Sequence, residues 1–201
     1  ETSAFVAALH RAHGVEILES TGLDRLLGDA RVSGVRLQDG RELPADFVIC
    51  GVGITPNDRL AAEAGLTIDN GIATDSHGRT SDPAIWSAGD CASFPHQGGR
   101  IRLESVGNAI DQAEAVAANM LGADQPYRAK PWFWSDQFDL KLQIAGLNTG
   151  YDNIVTRPGD NGAVSFWYYR GDTLLAIDAM NDPRAYMVGK RLIESGKSPA
   201  P

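Results

Sequence analysis

The sequence predicts an α/β fold in its first part, followed by a smaller α+β domain. Over residues 3–121, helical patterns alternate with short apolar strands, which is typical of sheets covered by helices. After residue 131 the pattern changes to a succession of strands and one closing helix. The segment 122–131 between these parts holds one glycine and two prolines, and we interpret it as a linker.

The elements of the first part are predicted from hydrophobic spacing and turn residues. A helix over 3–13 places Phe5, Val6 and Leu9 on one face and ends before Gly14. Thr55 and Pro56 predict the start of a helix that runs to about residue 64. The predicted strands are 15–18, 23–27, 31–38, 41–43, 46–50 and 84–88, with a hairpin turn at 39–40 and a further turn at 70–71.

The longest predicted helix covers residues 105–121 and begins at Ser105 as its N-cap. Helical spacing predicts an inner face of Val106, Ile110, Ala113, Ala117 and Met120 with Leu121. Beyond the linker we predict five strands and a helix that starts at Asp182-Pro183 and ends near residue 193, before a frayed tail. The five strands are 132–138, 142–147, 153–157, 163–169 and 173–179.

Composition excludes several classes of protein. Residues 1–125 carry nine Arg and eighteen Asp or Glu, whereas residues 126–201 carry nine Lys or Arg and eight Asp or Glu. An acidic chain of this kind is a poor nucleic-acid binder. The two cysteines exclude a disulfide scaffold and a four-thiolate metal site, and we expect a reduced protein of the cytoplasm with both thiols packed. We expect no metal at His10 and His13, since no third ligand is evident.

A first candidate motif runs from Thr80 to Asp90 (Thr-Ser-Asp-Pro-Ala-Ile-Trp-Ser-Ala-Gly-Asp). It reads as an apolar strand whose carboxyl end presents a glycine and then a carboxylate, at the place where ligands of open α/β sheets bind. Because glycine admits a ligand close to the backbone and an ionised Asp only accepts hydrogen bonds, the pair suits a polyol. The alternative is that Asp90 only caps a turn.

A second candidate motif runs from Arg102 to Gln112 (Arg-Leu-Glu-Ser-Val-Gly-Asn-Ala-Ile-Asp-Gln) and leads from a strand into the capped helix. The N-terminus of a helix offers free N–H groups and the positive end of the helix dipole, which together bind negative charge. The alternative is an ordinary amphipathic helix with a Ser cap.

Together with Pro131-Trp132-Phe133-Trp134-Ser135-Asp136-Gln137, these motifs resemble those of two-dinucleotide-domain flavoproteins, in particular the putidaredoxin reductase branch. The resemblance covers essentially the whole chain. It implies Rossmann-like dinucleotide-binding domains, FAD and NAD(P)H as cofactors, and electron transfer to a [2Fe–2S] ferredoxin of a P450 or ring-hydroxylating dioxygenase system. It implies no catalytic side chain, since the flavin carries the chemistry.

The resemblance also implies residue roles. Asp90 would bind the FAD ribityl chain, Val106 would offer its N–H to the flavin O2 side, and Trp134 would lie against the isoalloxazine. For the strand-face pair Trp132 and Trp134, packing is the alternative role. The implied cofactor-binding residues are Gly51, Gly53, Gly89, Asp90, Glu104, Ser105, Val106, Gln112 and Trp134.

Both glycine-rich pyrophosphate loops of such enzymes are missing here. The single Gly-x-Gly, at 51–53, has Pro56 where a third glycine would stand. We therefore expect the C-terminal half of a reductase of roughly 400 residues, inactive alone and binding FAD weakly or not at all, with apolar surface left uncovered. Its expected parts are the second half of the NAD(P) domain (1–78), the closing segment of the FAD domain (79–125) and a C-terminal domain (126–201).

Two other functions stay open. A disulfide reductase would end in a larger dimerisation domain with a His-Pro dipeptide, whereas this chain has no His before Pro. A non-enzymatic binding module is the second alternative. The Lys and Arg residues of the C-terminal part either attract an acidic ferredoxin or form a solvated surface.

Overall fold

The computed structural model describes residues 1–201, which divide into two compact units, residues 1–55 and 56–201. The first unit begins with helix α1, and Gly14 follows it with φ +80°. Three antiparallel strands in the order β1-β2-β3 come next. Their hairpin turns at Gly40, whose φ is +89° and whose N–H donates to the Leu37 carbonyl at 3.0 Å. The bounds are α1 Thr2–Ala12, β1 Leu23–Leu27, β2 Gly34–Leu37 and β3 Glu42–Pro44.

The strands predicted over 15–18 and 46–50 are wrong, because neither segment pairs with a neighbour in this chain. An apolar segment becomes a strand only when another strand takes up its backbone hydrogen bonds. Phe47 is 74 % and Ile49 84 % exposed, as expected for uncovered apolar surface. Cys50 is exposed too, so the packed thiol predicted there is also wrong.

The second unit begins with a short helix, α2 (Arg59–Glu63), whose N-cap is Asp58. The predicted start at Thr55 and Pro56 is wrong, because the Asp58 N–H donates to the Pro56 carbonyl at 3.0 Å and closes a turn there instead. Gly65 ends the helix with φ +77°, as predicted.

A small three-stranded sheet, absent from the sequence predictions, follows α2. Strand β4 (Ile72–Ala73) lies parallel to β5 (Ala92–His96), and β6 (Gly99–Ile101) lies antiparallel to β5. The strand predicted over 84–88 is wrong, since only Trp86 makes a bridge, to Arg79. The segment leads into a single 3-10 turn over Gly89–Cys91.

Helix α3 (Val106–Met120) has Ser105 as its N-cap, as predicted. The predicted inner face is wrong, because Val106, Ile110, Met120 and Leu121 are exposed. The buried positions are instead Gly107, Asn108, Gln112, Val116 and Asn119. This face packs against backbone, which offers hydrogen-bonding groups, and so amide side chains occupy it.

The C-terminal part forms one five-stranded antiparallel sheet in the order β7-β8-β11-β10-β9, and helix α4 packs on β11 and β8. All five predicted strands and the helix are confirmed, with Asp182 as the N-cap that accepts the Ala185 N–H at 2.9 Å. The bounds are β7 Trp132–Gln137, β8 Leu140–Gly146, β9 Asn153–Pro158, β10 Val164–Arg170, β11 Thr173–Met180 and α4 Pro183–Glu194.

The main core lies between this sheet and α4. Gly189 allows the close approach, because a Cβ there would lie 2.7 Å from the Ile177 side chain. The tail is less frayed than predicted, since the Ser198 hydroxyl accepts the Leu174 N–H at 2.9 Å. The core residues are Ala145, Trp167, Tyr169, Leu174, Ile177, Ala179 and Tyr186.

None of the four helices, of which α3 is the longest at 15 residues, has the length and apolar character that a bilayer-spanning helix needs.

Two neighbouring tyrosines on β10 make a matched stability test. The Tyr168 hydroxyl donates to the buried carboxylate of Asp178 at 2.8 Å, whereas the Tyr169 hydroxyl is buried without a partner. We expect Tyr168→Phe to lower the free energy of unfolding by about 1.5–3 kcal/mol, and Tyr169→Phe to leave it unchanged or raise it by about 1 kcal/mol. Urea unfolding measures both. Equal losses in the two variants would contradict the assignment.

Candidate functional site

The turn at Gly89 and Asp90 is fixed from two sides. Gly89 has φ +79°, and its N–H donates to Oε1 of Gln112 at 2.9 Å. The backbone carbonyl of Asp90 accepts from Nη1 of Arg102 at 3.0 Å. The Asp90 side chain itself is exposed. The turn therefore presents a carboxylate to solvent from a backbone that is held in place, which is the arrangement needed to accept hydrogen bonds from a polyol.

Arg102 is a positioning residue that the sequence reasoning missed. Its side chain is only 8 % exposed, and besides Asp90 it donates to the Asn70 carbonyl at 3.0 Å. Glu104 pairs with it at 2.5 Å and balances its charge. Gly71 makes room for this arrangement, because a Cβ there would lie 3.0 Å from the Arg102 side chain. No sequence spacing indicates which carbonyls an arginine will reach, so nothing in the motif identified this role.

The N-terminus of α3 presents unpaired backbone donors. The hydroxyl of Ser105 accepts the Asn108 N–H at 3.2 Å, and its carbonyl accepts the Ala109 N–H at 2.9 Å. The remaining N–H groups of the first turn, those of Val106 and Gly107, have no acceptor inside the helix. Together with the positive end of the helix dipole, such donors favour an electron-rich oxygen.

Three amide side chains anchor the buried face of α3. Gln112, which is 1 % exposed, holds the Gly89 N–H. Asn119 donates to the carbonyls of His77 and Gln125 at 3.1 and 2.8 Å, and it accepts the Gln125 N–H at 2.8 Å. Asn108 bonds to the Leu103 carbonyl at 3.3 Å. Gln112 therefore supports the site by fixing the turn at Gly89. Asn108 and Asn119 are further supporting residues that the sequence reasoning missed.

An aromatic pair on β7 lies beside the start of α3. Trp132 packs on Gly107, where a Cβ would lie 2.5 Å from the indole nitrogen. Trp134 stacks on Trp132 with ring centroids 5.4 Å apart and an interplanar angle of 23°, and it remains 40 % exposed. Lys190 lies 5.0 Å from the Trp132 ring and interacts with its π face. The pair thus combines packing with an exposed aromatic surface.

A cavity of about 870 Å³ in the second unit is lined by cations. Glu194 is the only carboxylate on its walls, and it pairs with Lys190 at 4.0 Å. Burial lowers the pKa of His96, also on the wall, which keeps that ring neutral at pH 7. The six cations are Arg100, Arg128, Lys130, Arg170, Lys190 and Lys197.

The two remaining predicted site residues, Gly51 and Gly53, lie in the first unit. Both are exposed, Gly53 has φ +89°, and a Cβ at either position would meet nothing within 4 Å. The other seven predicted residues, Gly89, Asp90, Glu104, Ser105, Val106, Gln112 and Trp134, all lie in the second unit. Hydrogen bonds connect Gly89 with Gln112 directly, and Asp90 with Glu104 through Arg102, whereas Ser105 and Val106 lie at the start of α3.

Two protein families match the chain. The family described as pyridine nucleotide-disulphide oxidoreductase matches residues 1–113, and the family described as reductase C-terminal matches residues 132–201. The unmatched interval between them, 114–131, includes the predicted linker.

Curated relatives match nearly the whole chain. Rhodocoxin reductase of Rhodococcus erythropolis is 42 % identical over 195 residues, which are 95 % of this chain and 46 % of that protein. Putidaredoxin reductase CamA of Pseudomonas putida is 43 % identical over 197 residues, 95 % of this chain and 47 % of that protein. The chain thus spans about half the length of the curated relatives it matches.

Solved structures also match nearly the whole chain. The ferredoxin reductase for the CYP199A2 system from Rhodopseudomonas palustris superposes with a TM-score of 0.95 at 39 % identity, over 99 % of this chain and 50 % of that one. A chain of the covalent putidaredoxin reductase–putidaredoxin complex superposes with a TM-score of 0.91 at 41 % identity, over 97 % of this chain and 48 % of that one. The resemblance to the putidaredoxin reductase branch and the predicted fold class are confirmed.

Proposed function

This chain belongs to the pyridine nucleotide-disulphide oxidoreductase family, and we propose from this premise that it is the C-terminal half of a flavoprotein reductase. The reductase passes electrons from NAD(P)H through FAD to a [2Fe–2S] ferredoxin of a P450 or ring-hydroxylating dioxygenase system. The observation that carries the proposal is the turn at Gly89 and Asp90 held beside the open N-terminus of α3. Identities of 42 and 43 % to two reductases of this kind support it.

The proposed division of the chain follows the sequence boundaries. Residues 1–78 form the second half of the NAD(P)-binding domain, residues 79–125 close the FAD-binding domain, and residues 126–201 form the C-terminal reductase domain. The match of a reductase C-terminal family to residues 132–201 supports the last boundary. Both unpaired apolar segments of the first unit, 15–18 and 46–50, are consistent with a sheet completed by the rest of that domain.

The donors and acceptors of the second unit fit FAD. The exposed Asp90 carboxylate accepts hydrogen bonds from the ribityl hydroxyls. The backbone of Asp90 stays in position because Arg102 and Gln112 bond to the turn. The N–H group of Val106, an exposed residue, is available to the flavin O2 edge. We assign to Glu104 the role of balancing the charge of Arg102. Ser105 is assigned the role of N-cap, which accepts the Asn108 N–H and fixes the first turn of α3.

This arrangement acts by electrostatics and positioning. When bound, FAD supplies the conversion between the two-electron chemistry of NAD(P)H and the one-electron chemistry of a ferredoxin. The N-terminus of α3 stabilises negative charge at the flavin O2 edge through its dipole and its free N–H groups. Gly51 and Gly53 are proposed for the nicotinamide half of NAD(P)H, since an exposed loop without Cβ atoms admits a ligand close to its backbone.

The cationic cavity is the proposed docking face for the ferredoxin. Four of its six cations make no ion pair within the chain, namely Arg128, Lys130, Arg170 and Lys197. Unpaired cations around one concave surface attract an acidic protein and orient it as it approaches. Lys190 connects this surface to the aromatic pair through its contact with Trp132, and the exposed Trp134 is proposed to lie against the isoalloxazine near the electron path.

We propose the cytoplasm as the location of the protein. Both cysteines are free thiols, and Cys50 is exposed, which fits a reducing compartment.

Charge reversal in the cavity tests the docking face. We expect Arg170→Glu to raise the KM for the ferredoxin about tenfold, and to raise it less at high salt, because screening weakens the attraction. Electron transfer to a small neutral dye should not change. Arg184→Glu makes the same charge change outside the cavity and should leave the KM alone. An equal effect of both variants would show that only net charge matters.

Removal of the exposed indole tests the proposed path. In the full-length reductase, Trp134→Ala should slow ferredoxin reduction at least about tenfold, while the visible spectrum still shows bound flavin. Trp134→Phe keeps an aromatic ring and should retain most of the rate. Unchanged transfer in Trp134→Ala would rule out this role and leave Trp134 as a packing residue.

A further inference from the structure

We propose that the hydroxyl of Tyr127 positions the turn at Gly89 and Asp90. It acts through the buried amides of Asn108 and Gln112. The inference rests on the proposed function, because it assigns to a residue of the linker segment 122–131 a part in shaping the FAD site. Tyr127 is therefore a positioning residue that acts without touching the cofactor.

A continuous run of hydrogen bonds carries the inference. The Tyr127 hydroxyl donates to Oδ1 of Asn108 at 3.0 Å. Nδ2 of Asn108 donates to Oε1 of Gln112 at 3.5 Å, and that same oxygen accepts the Gly89 N–H at 2.9 Å. The four residues belong to three segments: Tyr127 to the linker, Asn108 and Gln112 to α3, and Gly89 to the turn. The turn is thus connected to a residue 38 positions further along the chain.

The connection requires one orientation of the Asn108 amide, with its oxygen toward Tyr127 and its nitrogen toward Gln112. Its Nδ2 faces two oxygens, the Leu103 carbonyl at 3.3 Å and Oε1 of Gln112. If the amide were reversed, Oδ1 would meet both acceptors and no donor would lie between them. Donation from Tyr127 to Oδ1 stabilises the observed orientation, in which Gln112 keeps its oxygen directed at Gly89. Both amides are at least nine-tenths buried, so water does not compete for these bonds.

Two further contacts fix the position of Tyr127. Its backbone N–H donates to the Ser76 carbonyl at 2.7 Å. Its ring meets the buried Phe94 edge-on, with centroids 5.6 Å apart. Burial, with a smaller contribution from Asp111, raises the pKa of Tyr127 to about 12, so the hydroxyl keeps its proton and remains a donor at neutral pH.

The decisive variant is Tyr127→Phe, which removes one hydroxyl and keeps the ring. In the 201-residue chain without cofactor, we expect the Gly89 amide to shift in the ¹⁵N–¹H spectrum and its hydrogen exchange to accelerate about fivefold. In the full-length reductase, we expect the Kd for FAD to rise about threefold to tenfold, as the loss of one neutral hydrogen bond predicts.

Two controls separate positioning from general destabilisation. Tyr151→Phe removes a hydroxyl from a half-exposed tyrosine that packs on Tyr168, and it should leave Gly89 unchanged. Phe94→Leu loosens the packing of the Tyr127 ring but retains the hydroxyl. If the Tyr127 hydroxyl positions the turn, Phe94→Leu lowers the stability of the protein but shifts the Gly89 amide less than Tyr127→Phe does.

The outcomes are distinguishable. Failure of the unmutated full-length protein to bind FAD overturns the proposed function, while the Gly89 amide still reports on the hydrogen-bonded connection. Normal FAD binding with an unchanged Gly89 amide and an unchanged Kd in Tyr127→Phe overturns the role of Tyr127. Equal changes at Gly89 in Tyr127→Phe and Phe94→Leu also overturn it, because loss of packing would then explain the effect.

Discussion

The site depends on one constraint, which is that α3 is buried through amide side chains. Gln112, Asn108 and Asn119 bond to the backbone of the turn, of the approach to the helix and of the linker. Hydrogen bonds add a directional constraint to close packing, because they weaken steeply once distance and angle depart from their optimum. The helix N-terminus is therefore held in one position relative to the Asp90 carboxylate, and both proposed flavin contacts depend on that geometry.

The charges of the chain serve local purposes that its net charge of −8 conceals. Arg102 is buried against carbonyls and Glu104, so it acts as a structural clamp rather than as part of an attractive surface. The unpaired cations of the C-terminal cavity are free to attract an acidic partner. An acidic protein can in this way present a basic docking face, because the interaction between exposed charges is largely screened beyond about one Debye length.

Sequence reasoning predicted the elements that carry local signals. It failed where contacts between residues distant in sequence determine the structure. The β7–β11 strands, α4 and the Ser105 cap follow from alternation and capping residues. The inner face of α3 was wrong, since hydrophobic spacing cannot show that backbone carbonyls face the helix. Strands over 15–18 and 46–50 were wrong, because a strand needs a partner and periodicity says nothing about one. Tyr127 and Arg102 were missed for the same reason, as their roles lie in hydrogen bonds to residues distant in sequence.

The most direct test of the central claim is the visible absorption spectrum during titration with FAD, for this chain and for the full-length protein. The account predicts stoichiometric bound flavin in the full-length protein and little or none in the 201-residue chain, which holds the turn and α3 but no pyrophosphate loop. Asp90→Ala in the full-length protein should weaken binding by about tenfold or more, as expected for lost hydrogen bonds to a charged group, whereas Glu114→Ala, on an exposed part of α3, should not. Stoichiometric flavin in the short chain, or unchanged affinity in Asp90→Ala, would contradict the account.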